Sequence, residues 1–153
     1  MNPGIKIIIV IREPNQVIES IRKKGWFSDY SEHQIRSLKK VNGSLIPRII
    51  PNHFHSTWSD LLDYEKALLY VYFQLMEING IEGASIVDYK RLHSKRTLHD
   101  LLEYTNCSKG IKTDELQKSI IYSNANDVKF KFKRSFLEKI YSEAWDVYSG
   151  FKV

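Results

Sequence analysis

The sequence predicts an α/β protein with a short parallel sheet flanked by about six helices, read as a single domain over residues 1–153. Three observations carry that reading. Ile5–Ile11 and Ala84–Tyr89 are apolar, β-branched runs bounded by turn formers. The apolar residues between and after them recur at helical spacing. The first run ends in Arg-Glu-Pro, the signature of a strand that turns directly into a helix.

Ile5–Ile11 (IKIIIVI) is apolar except at Lys6, the composition of a strand buried on both faces and hence of a parallel sheet. Pro14 suits the first turn of a helix, where its missing N–H costs nothing. Val17, Ile18 and Ile21 form the apolar face of that helix, and Gly25 ends it. Ser31 and Gln34 form a capping box for a short helix through Lys40. Asn42-Gly43 is a turn, and Pro47 and Pro51 keep the chain irregular as far as Thr57. Thr57 with Asp60 caps the longest helix, from Trp58 to about Ile78, on which Leu61, Leu68, Tyr72, Leu75 and Met76 share a face. Asn79-Gly80 stops it.

Ala84–Tyr89 (ASIVDY) is the second buried strand, and Ser94 caps a helix containing Leu98, Leu101 and Leu102. A further helix is expected over Thr113–Ser123. In the polar, basic stretch from Asn124 to Arg134, Lys129, Lys131 and Lys133 alternate with Phe130 and Phe132, as in a strand with one wet face. The last helix places Leu137, Ile140, Tyr141, Ala144 and Tyr148 on one face and ends at Gly150.

A net charge of +5 and a pI near 9.2 favour anionic partners without choosing among nucleotide, nucleic acid and membrane surface. No basic helix with interleaved base-stacking aromatics stands out, which ranks nucleic acid last. Cys107 is the sole cysteine, so no internal disulfide forms and a reducing, cytoplasmic compartment is expected. The longest apolar run is far too short to span a bilayer, and no signal peptide is expected. CxxC, HExxH and Walker sequences are absent, and no metal site is expected.

In open α/β sheets, ligands bind beyond the carboxyl ends of strands, where helix N-termini and loop side chains converge. Arg12 stands at such an end, and its planar guanidinium matches a phosphate bidentately. Ser20, eight residues on, lies in the second turn of the following helix and offers a hydroxyl donor. Arg22, Lys23 and Lys24 extend a positive face beside it.

The stretch KIIIVIREPNQVIES, an apolar strand followed by Arg-x-Pro and a serine eight residues after the arginine, resembles the 3′-phosphate-binding motif of sulfotransferases. Those enzymes transfer a sulfuryl group from 3′-phosphoadenosine 5′-phosphosulfate (PAPS) to a hydroxyl or amine. The resemblance implies a P-loop-NTPase-like sulfotransferase fold, with Arg12 and Ser20 on the 3′-phosphate of PAPS or of adenosine 3′,5′-bisphosphate. The run WSDLLDYEKALLYVYFQLMEI followed by ASIVDYKRL is similar to the family's long helix and following strand, which implies Tyr89 near the adenine. TDELQKSIIYSNANDVK and the ending at Gly150-Phe151 also resemble family segments.

The family's P-loop-like turn and its usual catalytic histidine precede the strand that here starts at Ile5, so the fold is expected to be truncated at its N-terminus. A missing N-terminal segment or a homodimer is expected to complete the sheet. Without those donors and that base the chain alone is expected to be weakly active or inactive, and its catalytic residues and acceptor are unknown. The family's Arg-Lys-Gly segment has no clear match; Phe130 to Arg134 (FKFKR) is its candidate substitute. The alternative function is a non-catalytic protein-interaction module built on the same fold. Taken alone, Arg12 also reads as a surface salt-bridge partner and Tyr89 as a core aromatic closing its strand. His53 and His55 read as loop histidines, and His33, His93 and His99 carry no signal.

Overall fold

A computed structural model describes residues 6–27, 38–106 and 128–151. The expected capping box at Ser31 and Gln34, the helix over Thr113–Ser123 and Cys107 lie outside the described residues. Within them the architecture is mixed α/β, with four α-helices, a two-stranded parallel sheet and a β-hairpin. The chain divides into two compact units. Among the described residues the first comprises 6–12, 81–106 and Phe151, and the second 13–27, 38–80 and 128–150.

In the first unit, β1 (Ile7–Ile11) pairs in parallel with β4 (Ala84–Asp88), from Ile7 opposite Ala84 to Ile11 opposite Asp88. A fully sheathed β1 was the expectation, yet Val10 is 46% exposed. Among the described residues the sheet has two strands, so β1 also keeps one edge without a strand partner. After β4 comes a 3₁₀ helix, Tyr89–His93, whose N-cap Asp88 accepts a hydrogen bond from the Lys90 N–H at 2.8 Å. Helix α3 (Lys95–Tyr104) then starts as its sequence predicts, with the Ser94 hydroxyl accepting from the Thr97 N–H.

In the second unit, α1 (Pro14–Lys23) has Pro14 in its first turn and buries Ile18 and Ile21. Gly25 takes a φ of +60°, and the Trp26 N–H returns to the Ile21 carbonyl at 3.4 Å while the Gly25 N–H reaches Arg22 at 3.1 Å. This pair of bonds is a Schellman closure, and the positive φ is why glycine stands there.

Leu38–Val41 (β2) and Ser44–Pro47 (β3) form an antiparallel hairpin, so Leu38, Lys39 and Lys40 are strand residues and not the end of a helix. Asn42 and Gly43, at φ of 48° and 82°, make a two-residue turn whose twist matches paired strands, and this cross-strand pairing overrides the helical pattern.

Helix α2 (Asp63–Asn79) begins later than Trp58, because Trp58–Asp60 is a separate 3₁₀ turn. The buried Trp58 indole donates to the Leu45 carbonyl of the hairpin at 3.1 Å, which holds the turn away from the helix axis. The cap is therefore made by Glu65, whose carboxylate accepts from the Leu62 N–H at 2.9 Å, and not by Thr57 or Asp60. Ala67, Leu68, Leu69, Val71 and Leu75 are buried as α2 packs against α1 and against α4 (Ser135–Gly150). Met76, expected in that core, is 43% exposed. Leu137, Ile140, Ala144 and Tyr148 of α4 are buried at the predicted spacing. Among the described residues no helix is long and apolar enough to cross a membrane.

Candidate functional site

Parallel pairing carries the first unit's chemistry to one end. Because Ile11 stands opposite Asp88, the residues that follow, Arg12 and Tyr89, leave the sheet side by side at its carboxyl edge. The Arg12 guanidinium carbon lies 4.0 Å from the Tyr89 ring centroid, a cation–π stack. The His93 ring is perpendicular to that of Tyr89, at 6.2 Å between centroids and 90° between planes. His93, one helical turn beyond Tyr89 in the 3₁₀ segment, was silent in the sequence because only that turn brings it back to the ring.

Arg12 is half-buried, forms no ion pair among the described residues, and its Nε is buried without a hydrogen-bond partner. A partly desolvated cation without a counter-charge is costly, so this end of the sheet is suited to an anion. Lys90, Arg91, Lys95 and Arg96 are exposed on the segment that follows and raise the local positive potential. The planar guanidinium can hold an oxyanion while the tyrosine presents a face for stacking.

Ser20 belongs to the second unit, half-buried in the second turn of α1. The positive face expected around it is weaker than the sequence implies. Glu19, buried beside Ser20, accepts two bonds from Arg22, each at 2.8 Å, and lies 3.5 Å from Lys23. The Arg22 hydrogen bonds hold the Glu19 carboxyl below its ordinary value, against the opposing effect of burial. Two of the three cations are thus engaged within the helix, and Lys24 is the exposed remainder.

The FKFKR stretch alternates in burial as expected, with Lys129, Lys131 and Lys133 exposed and Phe132 buried. No strand is assigned there; aromatic packing of Phe130 and Phe132 on Tyr64, at 5.9 and 5.6 Å, produces the alternation instead of a ladder. Arg134 donates to the Asp60 carbonyl at 3.0 Å. The start of the stretch is fixed by Asn15, in the first turn of α1: its amide donates to the Val128 carbonyl at 2.7 Å, and its oxygen accepts from the Tyr141 hydroxyl at 2.7 Å. Asn15 escaped the sequence reading because both partners lie more than a hundred residues away.

The histidines at 53 and 55 have structural contacts. The His53 ring lies 4.3 Å from Phe54, and His55 Nε2 is 3.1 Å from the Ile50 carbonyl. On α3, His99, Asp100 and Glu103 bring potential ligand atoms within 4.8 Å of one another, all on exposed positions of a solvated helix face.

No protein-family model, no curated protein and no solved structure matches this chain.

Proposed function

We propose that this chain binds an adenine nucleotide carrying a phosphate on its ribose, as a sulfotransferase-like domain whose family chemistry is sulfuryl transfer from PAPS to a hydroxyl or amine. One observation supports the reading above the rest: Arg12 and Tyr89 stand together at the carboxyl end of two parallel strands, with Arg12 making no ion pair among the described residues. A guanidinium for phosphate beside an aromatic ring for a base is the pairing such a ligand needs. The motif resemblance assigns Arg12 and Ser20 to the 3′-phosphate and Tyr89 to the adenine.

Adenosine 3′,5′-bisphosphate, the expected product nucleotide, tests the reading. Titrated into the protein, it is expected to perturb the amide resonances of Arg12, Ser20 and Tyr89 and to raise the melting temperature. Arg12→Ala is expected to abolish both responses. Equal thermal shifts for wild type and Arg12→Ala overturn the assignment of Arg12.

The second reading, a non-catalytic interaction module, is favoured by the β1 edge, which has no strand partner among the described residues and exposes Val10. Such an edge can accept a strand from a second copy or another protein. That module predicts a self-association blocked by Val10→Lys and indifferent to nucleotide.

A further inference from the structure

We infer a second binding site, independent of the nucleotide reading, for a small zwitterion in a cleft of the second unit. The cleft has a volume of about 340 Å³ and is lined by Arg48, Ile49, Tyr70, Gln74 and Glu77. Arg48 follows the last residue of β3, whereas Tyr70, Gln74 and Glu77 rise along one face of α2 at helical spacing. The hairpin and the helix therefore supply opposite charges to the same space.

Arg48 and Glu77 are both exposed, and neither makes an ion pair among the described residues, with each other or with a third group. Two opposite charges that line one cleft yet stay out of salt-bridge reach leave room for a ligand that carries both signs.

The same cleft holds a pre-positioned hydroxyl. Tyr70 is half-buried, and its oxygen accepts from the Gln74 amide at 2.8 Å, which leaves the tyrosine proton free to be donated into the cleft. The Trp26 ring packs against Tyr70 in a T-shaped contact, at 6.1 Å between centroids. Ile49 and the face of Tyr70 add apolar area beside the polar groups, the usual mixture for a small-molecule site. The ligand class that fits is an amino acid: its carboxylate toward Arg48, its ammonium toward Glu77, its side chain on Ile49 and Tyr70.

The probe is L-phenylalanine, compared with L-phenylalaninamide, which lacks the carboxylate, and N-acetyl-L-phenylalanine, which lacks the ammonium. Binding is read from amide chemical shifts during titration. The zwitterion is expected to shift Ile49, Tyr70 and Gln74. Each single-charge analogue is expected to bind about tenfold more weakly, as are Arg48→Met and Glu77→Gln with the zwitterion. No shift with the zwitterion, or equal affinity for all three compounds, overturns the proposal. Adenosine 3′,5′-bisphosphate is absent from the experiment, so failure here leaves the nucleotide reading standing, and the reverse.

Discussion

The guanidinium carbon of Arg12 lies over the ring of Tyr89, 4.0 Å from its centroid, although 76 residues intervene between them in the chain. Parallel register is the cause: with Ile11 opposite Asp88, the next residue of each strand must emerge beside the other. The contact holds a cation that makes no ion pair among the described residues.

That stack gives the first prediction. Tyr89→Leu keeps an apolar side chain but removes the ring over which the Arg12 guanidinium lies and on which the proposed base would stack. Affinity for adenosine 3′,5′-bisphosphate, measured calorimetrically, is expected to fall about tenfold. Inorganic phosphate binding at Arg12 should change less. Unchanged nucleotide affinity would remove Tyr89 from the site.

The carboxyl of Glu19 sits below its ordinary value of 4.5 because Arg22 hydrogen-bonds to it. A lowered folded-state value stabilises the fold fully above the unfolded value, and the contribution disappears as pH falls through the lowered one. Glu19→Gln should therefore lower stability near about pH 7 and show a flatter decline below about pH 4.5 in urea melts. Parallel curves for variant and wild type would contradict the ion pair.

Tyr72 donates to the Glu143 carboxylate at 2.9 Å and ties α2 to α4. Burial, followed by that carboxylate, raises the phenol above its ordinary 10.0. The sign is opposite to that of Glu19: the contribution is complete below pH 10.0 and is lost as pH climbs through the raised value. Tyr72→Phe is expected to cost about 1 kcal/mol at neutral pH, since Glu143 is partly exposed and recovers water, and to soften the alkaline decline. Ultraviolet titration of wild type and variant measures it.

Asn15 joins three segments with one amide, so its loss should be felt at a distance. Asn15→Ala is expected to cost about 1–3 kcal/mol by leaving Val128 and Tyr141 without their partner. Hydrogen exchange should accelerate from Lys129 to Lys133 while the hairpin is unaffected. Asn15→Asp retains the acceptor for Tyr141 but not the donor for Val128, and should fall between the two.

Local signals were legible in the sequence wherever a residue's structural role depends on its near neighbours. Pro14 and Gly25 bracket α1, Ser94 caps α3, and Leu137, Ile140, Ala144 and Tyr148 keep the helical period of α4, because each is set by backbone geometry within a few residues. The two parallel strands and the position of Arg12 at the end of one of them were legible for the same reason. The β2–β3 hairpin was not, since Leu38–Val41 becomes a strand only through cross-strand bonds that the Asn42-Gly43 turn sets up. Nor was the late start of α2, which depends on Trp58 finding the Leu45 carbonyl. Contacts across long stretches of chain, Arg12 on Tyr89 and Asn15 between Val128 and Tyr141, were decided by the tertiary structure alone. Sequence fixes which groups are available; only folding decides which of them meet and which are left with unused bonding capacity.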